Sequence, residues 1–394
     1  MLDEAELGWR LEDRPVIGIT GTNGKSTLAH LACRLLGGDF ATPVLGGNTI
    51  YGPPLSALGR LEGDCVVAEL SSAQLEFAPA LLPEVAVLSG FSADHLKRHG
   101  TMARYAECKR RIFMRGERST PIAVINVDSG LGRGLAREVE ERGGRTLTYG
   151  VAQDAQFRLE HCAWGLDWNQ LSARTPGGSL ELRTRLPGRH NAINALGAIA
   201  LAEALGLERG AAVAGIEGVP GLPARFELAS TAADPLDVVL DFAHNAEGMR
   251  ESLATARRVL DSRDGGGRLL AVVSSLSLAS TEERREMGRI AAELGDRVIA
   301  TIGTAGRSGA ERRPQELREG AAAANPGAPC EVILDRGDAI AEAVRAARAG
   351  DLVLVVGRGD AGTPVRTPSG EARPFDDRAV IRDLLGQGAA REAG

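Results

Sequence analysis

Lysine is nearly missing from this chain. Of its 46 basic residues only Lys25, Lys97 and Lys109 are lysines. Arginine serves equally well on a solvated surface, but it cannot replace lysine where a compact ammonium or a deprotonatable amine is needed. Three lysines are therefore three candidate sites. Cysteine is sparse and scattered: Cys33, Cys65, Cys108, Cys162 and Cys330 form no C-x-x-C pair. That spacing gives neither a zinc knuckle nor a disulfide framework and fits reduced, structural thiols in a cytoplasm. No apolar run approaches the roughly 20 residues of a membrane span, and the opening MLDEAELGWR is acidic where a secretory signal is basic and then apolar. A basic block is also missing and the net charge is −6, which argues against nucleic acid as the main partner. The rest is ordinary for a globular protein: 394 residues, 43% apolar and 25% charged. At roughly 150 residues per domain, two to four domains are expected.

Short apolar, β-branched runs alternate with helical periodicity. Pro15–Thr20, Cys65–Leu70, Val85–Leu88 and Pro121–Val127 read as buried strands, with helices over Ser26–Leu36 and Met102–Met114. This alternation predicts a mainly parallel sheet covered on both faces. Between Gln156 and Leu186 the pattern becomes polar/apolar alternation around a Pro-Gly-Gly turn, which predicts a small antiparallel meander. Helices follow at Ala192–Leu205 and Gly210–Glu217, and then Val219-Pro220-Gly221-Leu222-Pro223 marks a domain boundary. A second α/β series has expected strands at Asp237–Phe242, Arg268–Ser274, Arg297–Thr301 and Leu352–Val356. The fold expected is α/β: a phosphate-loop domain over residues 1–221 and a Rossmann-like domain over residues 222–394.

The strongest chemical signal is Gly18-Ile19-Thr20-Gly21-Thr22-Asn23-Gly24-Lys25-Ser26-Thr27. Glycines let successive backbone N–H groups converge on phosphate oxygens, and the following helix adds its positive end. Lys25 would reach the outer phosphates and the Ser26 hydroxyl would hold Mg²⁺. The strict phosphate-loop pattern needs glycine at position 19, where this chain has Ile19.

That variant spacing resembles the phosphate loop of the Mur ligases, the ATP-dependent amide ligases of peptidoglycan synthesis, with folylpolyglutamate synthases and the cyanophycin synthetase ligase module as relatives. Six further strings carry the resemblance: Glu69-Leu70-Ser71-Ser72-Ala73-Gln74-Leu75-Glu76; Asp94-His95-Leu96 continuing to Lys109; Arg189-His190-Asn191-Ala192-Ile193-Asn194; Gly221-Leu222-Pro223-Ala224-Arg225-Phe226; Asp241-Phe242-Ala243-His244-Asn245; and Pro374-Phe375-Asp376-Asp377-Arg378. The central strings are similar to the muramoylalanine–D-glutamate ligases, the later ones to the tripeptide-forming branch. The resemblance implies ATP bound by Gly21, Thr22, Asn23, Gly24, Lys25, Ser26 and Thr27, with Asn191 and Asn194 on the adenine side. It implies that Arg225 reaches the γ-phosphate, Asp241 takes the ribose, and His244 and Asn245 line the cleft. Two Mg²⁺ ions would be held through Ser26, Glu69, His95 and a CO₂-derived carbamate on Lys109. Asn48, Ser71 and Ser72 would face the carboxylate substrate. Asn191 can equally serve as a helix N-cap.

Departures fall at the substrate-reading ends. About seventeen residues precede the phosphate loop, too few for the uridine-nucleotide domain of typical Mur ligases. The Asp-Asn-Pro-Arg string of the tripeptide-forming branch is replaced by Thr301-Ile302-Gly303-Thr304-Ala305-Gly306-Arg307-Ser308, and Gly-Lys-Gly-His-Glu by Gly357-Arg358-Gly359-Asp360-Ala361. Arg307, Arg312 or Arg313 could clamp an amino-acid carboxylate through a bidentate fork, and Asp360 is the candidate on the other string. Lys97 replaces a residue more often acidic in the family and is either a surface charge or a substrate contact. Three readings follow. One is an acid–amine ligase for a substrate other than UDP-muramoyl peptide. Another is a minimal muramoyl or folate-type ligase completed by a partner protein or a second subunit. The third is an ATP-binding regulatory protein without ligase activity.

Overall fold

A computed structural model describes residues 3–37, 41–276, 279–303, 310–325, 327, 330–358, 365–366 and 372–392. The chain separates into two compact units, one of Met1–Ala163, Trp168–Arg185 and Arg189–Pro220, the other of Trp164–Asp167, Leu186–Gly188 and Gly221–Gly394. Among the described residues, no helix is long and apolar enough to cross a membrane.

The first unit is built on strands β1 (Val16–Thr20), β2 (Pro43–Gly47), β3 (Cys65–Glu69), β4 (Val85–Leu88), the small pair β5 (Met114–Arg115) and β6 (Arg118–Ser119), β7 (Ile122–Asn126), β8 (Arg145–Gly150), β9 (Phe157–Trp164), β10 (Asn169–Thr175) and β11 (Gly178–Thr184). Its helices are α1 (Glu4–Arg10), α2 (Lys25–Leu36), α3 (Ser72–Glu76), α4 (Leu96–His99), α5 (Met102–Arg110), α6 (Gly130–Glu141), α7 (Arg189–Ala204) and α8 (Arg209–Glu217). Nine strands join in the order β11-β10-β9-β8-β7-β4-β1-β3-β2. Pairing is parallel from β2 through β9 and antiparallel between β10 and β11. The stretch expected as an antiparallel meander contains the antiparallel pair β10–β11 and joins the main sheet through β9. Phe157 and Arg158 pair in parallel with Tyr149 and Gly150, which makes β9 the continuation of the main sheet. Strict alternation predicts a half-buried strand but says nothing about its neighbour's direction. Every residue of β1 is buried, as a central parallel strand covered on both faces requires.

The second unit has strands β12 (Glu227–Leu228), β13 (Asp237–Asp241), β14 (Leu269–Val273), β15 (Arg297–Ala300), β16 (Cys330–Val332) and β17 (Leu352–Val356), with a separate pair β18 (Val365–Arg366) and β19 (Ala372–Arg373). The six-stranded sheet runs β12-β13-β17-β14-β15-β16, parallel except for β12. Helices α9 (Ala246–Asp261), α10 (Thr281–Leu294), α11 (Arg312–Ala324), α12 (Arg336–Ala346) and α13 (Asp377–Glu392) complete it. Both sheets are mainly parallel, as the alternation of strand and helix signals predicted.

Helices α10 and α11 touch backbone to backbone. A Cβ added at Gly288 would lie 1.8 Å from the Leu317 carbonyl oxygen, and one at Gly320 would lie 1.8 Å from that of Arg285. Helix propensity alone favours alanine over glycine by about 1 kcal/mol, while overpacking a core costs about 1–3 kcal/mol or more. The obstacles here are carbonyls, which cannot swing aside, so overpacking wins. Gly288→Ala is expected to lower the calorimetric melting temperature. Gly134→Ala on α6, where an added Cβ meets open space, is expected to raise it slightly. A Gly288→Ala protein as stable as its parent would contradict the close helix contact.

Candidate active site

The carboxyl ends of β1, β3 and β4, side by side in the sheet, carry the candidate residues. This is the edge where open α/β sheets bind ligands. After Thr20, the chain turns through Gly21 (φ +152°) and Gly24 (φ +84°) into α2. At Gly24 a side chain would also collide with Asn194, whose Oδ1 lies 2.4 Å from the Cβ position. Lys25 folds back over the loop and its Nζ donates to the Thr22 carbonyl at 2.8 Å. The loop is pinned from below: the Ser89 hydroxyl donates to the Asn23 carbonyl at 2.6 Å, and Thr22 Oγ1 accepts from the Ser92 amide at 3.1 Å. Ser26 is half-buried in the first turn of α2 and Thr27 is buried.

Lys109 is 1% exposed, and its Nζ donates to the Gly21 carbonyl at 2.5 Å. The same nitrogen lies 4.6 Å from the centre of the Tyr105 ring, and the Tyr105 hydroxyl is 3.2 Å from Thr22 Oγ1. Burial first, then the Lys25 ammonium, holds the Lys109 amine well below the usual lysine range, with Asp94 and Glu69 opposing. The ammonium therefore gives up its proton more readily than that of an exposed lysine. Glu69 ends β3 at 3% exposure and Asp94 is 6% exposed. His95 adopts a left-handed conformation (φ 54°) at the start of α4, and its amide donates to Asp94 Oδ1 at 2.6 Å. A non-glycine residue held there is strained, and the hydrogen bond to Asp94 holds it. Burial lowers the proton affinity of the His95 ring, reinforced by Lys25 and Lys109 and opposed by Asp94. A neutral imidazole keeps a lone pair for a cation.

These groups fit Mg²⁺. Glu69 and Asp94 both act on Lys109 and are buried, a density of carboxylates that calls for a cation once the lysine is neutral. Ser26, Glu69, His95 and a carbamate on Lys109 would hold the ion. Asp94, buried beside His95, adds a second carboxylate to this end of the sheet. Sequence reasoning quoted it only as part of a string, because a carboxylate beside a histidine gives no sign of its burial.

Other expectations meet specific geometry. Asn48 is exposed, and its backbone N–H donates to the Glu69 carbonyl at 2.8 Å, fixing that loop beside β3. Ser71 caps α3 in a reciprocal capping box with Gln74, while Ser72 Oγ lies 3.0 Å from His99 Nε2. Lys97 is exposed on α4. Asn191 is not an N-cap: α7 begins at Arg189, which puts Asn191 inside its first turn, accepting from Asn194 Nδ2 at 3.4 Å. In the second unit, Asp241 ends β13 and accepts from the Phe226 and Ala243 amides, Asn245 caps α9, His244 packs edge-on against Phe242, and the Arg225 guanidinium lies 4.9 Å from the Phe242 ring centre. Arg307 and Asp360 lie outside the described residues. Sequence reasoning missed Arg336, 1% exposed and bidentate to Asp377 at 2.7 and 2.8 Å. Although burial alone would raise it, Arg336 and then Arg358 hold the Asp377 carboxyl below its usual range.

Residues 19–202 match the profile of the Mur ligase middle domain and residues 224–359 that of the Mur ligase glutamate ligase domain. The chain is 33% identical, over 406 residues, to the UDP-N-acetylmuramoyl-L-alanyl-D-glutamate–2,6-diaminopimelate ligase of Chromobacterium violaceum, covering 96% of this chain and 78% of that one. The chain belongs to the Mur ligase family. As a Mur ligase it is an ATP-dependent, ADP-forming carbon–nitrogen ligase. Solved structures share the fold. Folylpolyglutamate synthase of Mycobacterium tuberculosis, complexed with ADP and AMPPCP, superposes with a TM-score of 0.72 at 18% identity, covering 90% of this chain and 92% of that one. The MurF ligase of Thermotoga maritima in complex with ADP gives 0.71 at 18% identity, covering 98% and 83%.

Proposed function

We propose that this Mur ligase joins a small-molecule carboxylate to an amine or amino acid through an acyl phosphate, on a substrate other than the usual UDP-muramoyl peptide. The observation that carries the altered specificity is Arg358. It stands where the family string has lysine, yet it is fully buried and donates to the Phe375 carbonyl at 2.6 Å. A residue turned into the core cannot read a substrate as an exposed one does, so this end of the amine site is rebuilt. Arg307 and Asp360 are assigned to the amine substrate, and Asn48, Ser71 and Ser72 to the carboxylate. A second reading, ligation of a muramoyl or folate-type substrate, draws on the 33% identity to the diaminopimelate-adding relative. The reaction belongs in the cytoplasm, where ATP is made available.

A carboxylate approaching a polyanion meets electrostatic repulsion. Lys25 is set on the phosphate loop to meet the outer phosphates, and Arg225 is assigned to the γ-phosphate. Mg²⁺ bound through Ser26, Glu69, His95 and carbamylated Lys109 would supply the remaining positive charge. A carboxylate oxygen attacks the γ-phosphorus and ADP leaves, giving an acyl phosphate. The amine nitrogen then attacks the acyl carbon, the carbon–oxygen bond to phosphate breaks, and the amine releases a proton. Asn191 and Asn194 are assigned to the adenine side. Asp241, His244 and Asn245 complete the nucleotide assignment.

A phosphate-release screen over pooled carboxylates and amines, with UDP-muramoyl peptides as a separate pool, identifies the substrates. Turnover confined to the muramoyl pool would favour the second reading. With the carboxylate in hand and labelled with ¹⁸O, one labelled oxygen is expected in the released phosphate. Unlabelled phosphate, or AMP with pyrophosphate, would overturn the mechanism.

A further inference from the structure

Beside the phosphate loop, three side chains that no step above uses converge. Glu76 ends α3, His99 ends α4 and Cys108 lies in the last turn of α5. A Glu76 carboxylate oxygen, a His99 ring nitrogen and the Cys108 sulfur all lie within 4.8 Å of one another. The turn at Gly100 (φ +76°) and the Thr101 cap of α5 fold the chain back, so that His99 Nδ1 comes 3.8 Å from Cys108 Sγ. His99 is 3% and Cys108 2% exposed, whereas Glu76 is half-buried.

The histidine is already oriented. His99 Nε2 lies 3.0 Å from Ser72 Oγ, and in the tautomer that donates from Nε2–H to that hydroxyl the Nδ1 lone pair faces Cys108. Metal-ligating histidines are held in this way, the second ring nitrogen donating to an oxygen. Arg98 and Arg104 each donate to one Glu76 oxygen at 3.1 Å. Each carboxylate oxygen has a further lone-pair site, and both arginines are solvent-exposed and free to shift.

We propose that Glu76, His99 and Cys108 form a binding site for a thiophilic transition-metal ion of the Zn²⁺ class. One sulfur, one nitrogen and one oxygen are the donors such an ion takes, and they are the wrong set for Mg²⁺, which takes oxygens. Tetrahedral bonds of about 2.0–2.3 Å put ligand atoms about 3.3–3.8 Å apart, so side-chain motion of the order of 1 Å closes the site. The fourth position is left to water on the Glu76 side. Binding replaces the thiol proton: Cys–SH and M²⁺ give the metal thiolate and H⁺. The His99 ring centre is 5.2 Å from that of Tyr105, so the ion sits one aromatic ring away from Thr22 and Lys109.

The test uses the full-length enzyme in excess Mg²⁺, titrated with Co²⁺ as a spectroscopic probe and then with Zn²⁺. One equivalent of Co²⁺ is expected to give a thiolate-to-cobalt charge-transfer band that Zn²⁺ abolishes. Cys108→Ser should lose the band and bind Zn²⁺ about 100-fold more weakly, and Glu76→Gln should keep the band with affinity reduced about 10- to 100-fold. No band in the parent, or a band that survives Cys108→Ser, would overturn the assignment. If Cys108→Ser fails to fold, Glu76→Gln decides alone, and unchanged Zn²⁺ affinity rejects the site.

Discussion

Lys25→Ala is expected to slow ATP turnover by about 100- to 1000-fold, the cost of removing one preorganised charge from a developing phosphate transition state, with the melting temperature unchanged. The two halves of that expectation have separate causes. Lys25 is half-buried, and the one hydrogen bond described for its Nζ goes to the Thr22 carbonyl. The loop beneath keeps its shape through Gly24 and through the Ser89 and Thr22 hydroxyls, so the substitution removes charge without removing structure. Phosphate release and a thermal melt on the same preparation check both. A well-folded variant with unchanged turnover would remove the phosphate-loop assignment.

The second large effect concerns Lys109. A carbamate forms when a neutral amine attacks CO₂, making an N–C bond and releasing one proton. Protonated lysine has no lone pair for this. Burial and the Lys25 charge lower the proton affinity of this amine, a bias toward the neutral form that an exposed lysine does not have. Activity should therefore fall in CO₂-depleted buffer. It should also fall on acidification, because lowering the pH through the depressed amine value restores the ammonium and drives off CO₂. Lys109→Arg should lose about 100-fold or more, since a guanidinium stays charged, while Lys109→Ala should recover partly with small carboxylates. A carbamate signal in the ¹³C spectrum after ¹³CO₂ addition is the direct measurement. An active Lys109→Arg would rule the carbamate out.

What could be read from the sequence was what is local. The phosphate loop declares itself in ten consecutive residues, and β1, β4, β13 and β17 declare themselves as short, mainly apolar runs rich in β-branched residues. Strand β8 did not, because Arg145–Gly150 carries two threonines and an arginine among its apolar residues. Its burial comes from the packing around it. Helix α6 was also silent. Its sequence GLGRGLAREVEE spends three glycines against helix propensity, and the Ser129 cap with the buried face of Leu135, Ala136 and Val139 outweighs them. Asp94, Arg336 and the meeting of Glu76, His99 and Cys108 are products of distance in the fold. No spacing rule brings position 76 to position 108.

Arg225 enters the second unit between two residues, Ala224 and Phe226, that both hold positive φ without being glycine (53° and 48°). Carboxylates clamp the turn: Glu227 accepts from the Ala224 amide at 2.6 Å, Asp241 from the Phe226 amide at 2.7 Å, and Arg378 grips Glu227 from α13. A segment so determined has no slack. Surface loops absorb inserted or deleted residues over evolutionary time, but a one-residue change here would rotate Arg225 away from its heading and break both clamps together. Among homologous genes this stretch should hold its length while neighbouring loops drift, which makes it a fixed point for aligning distant members.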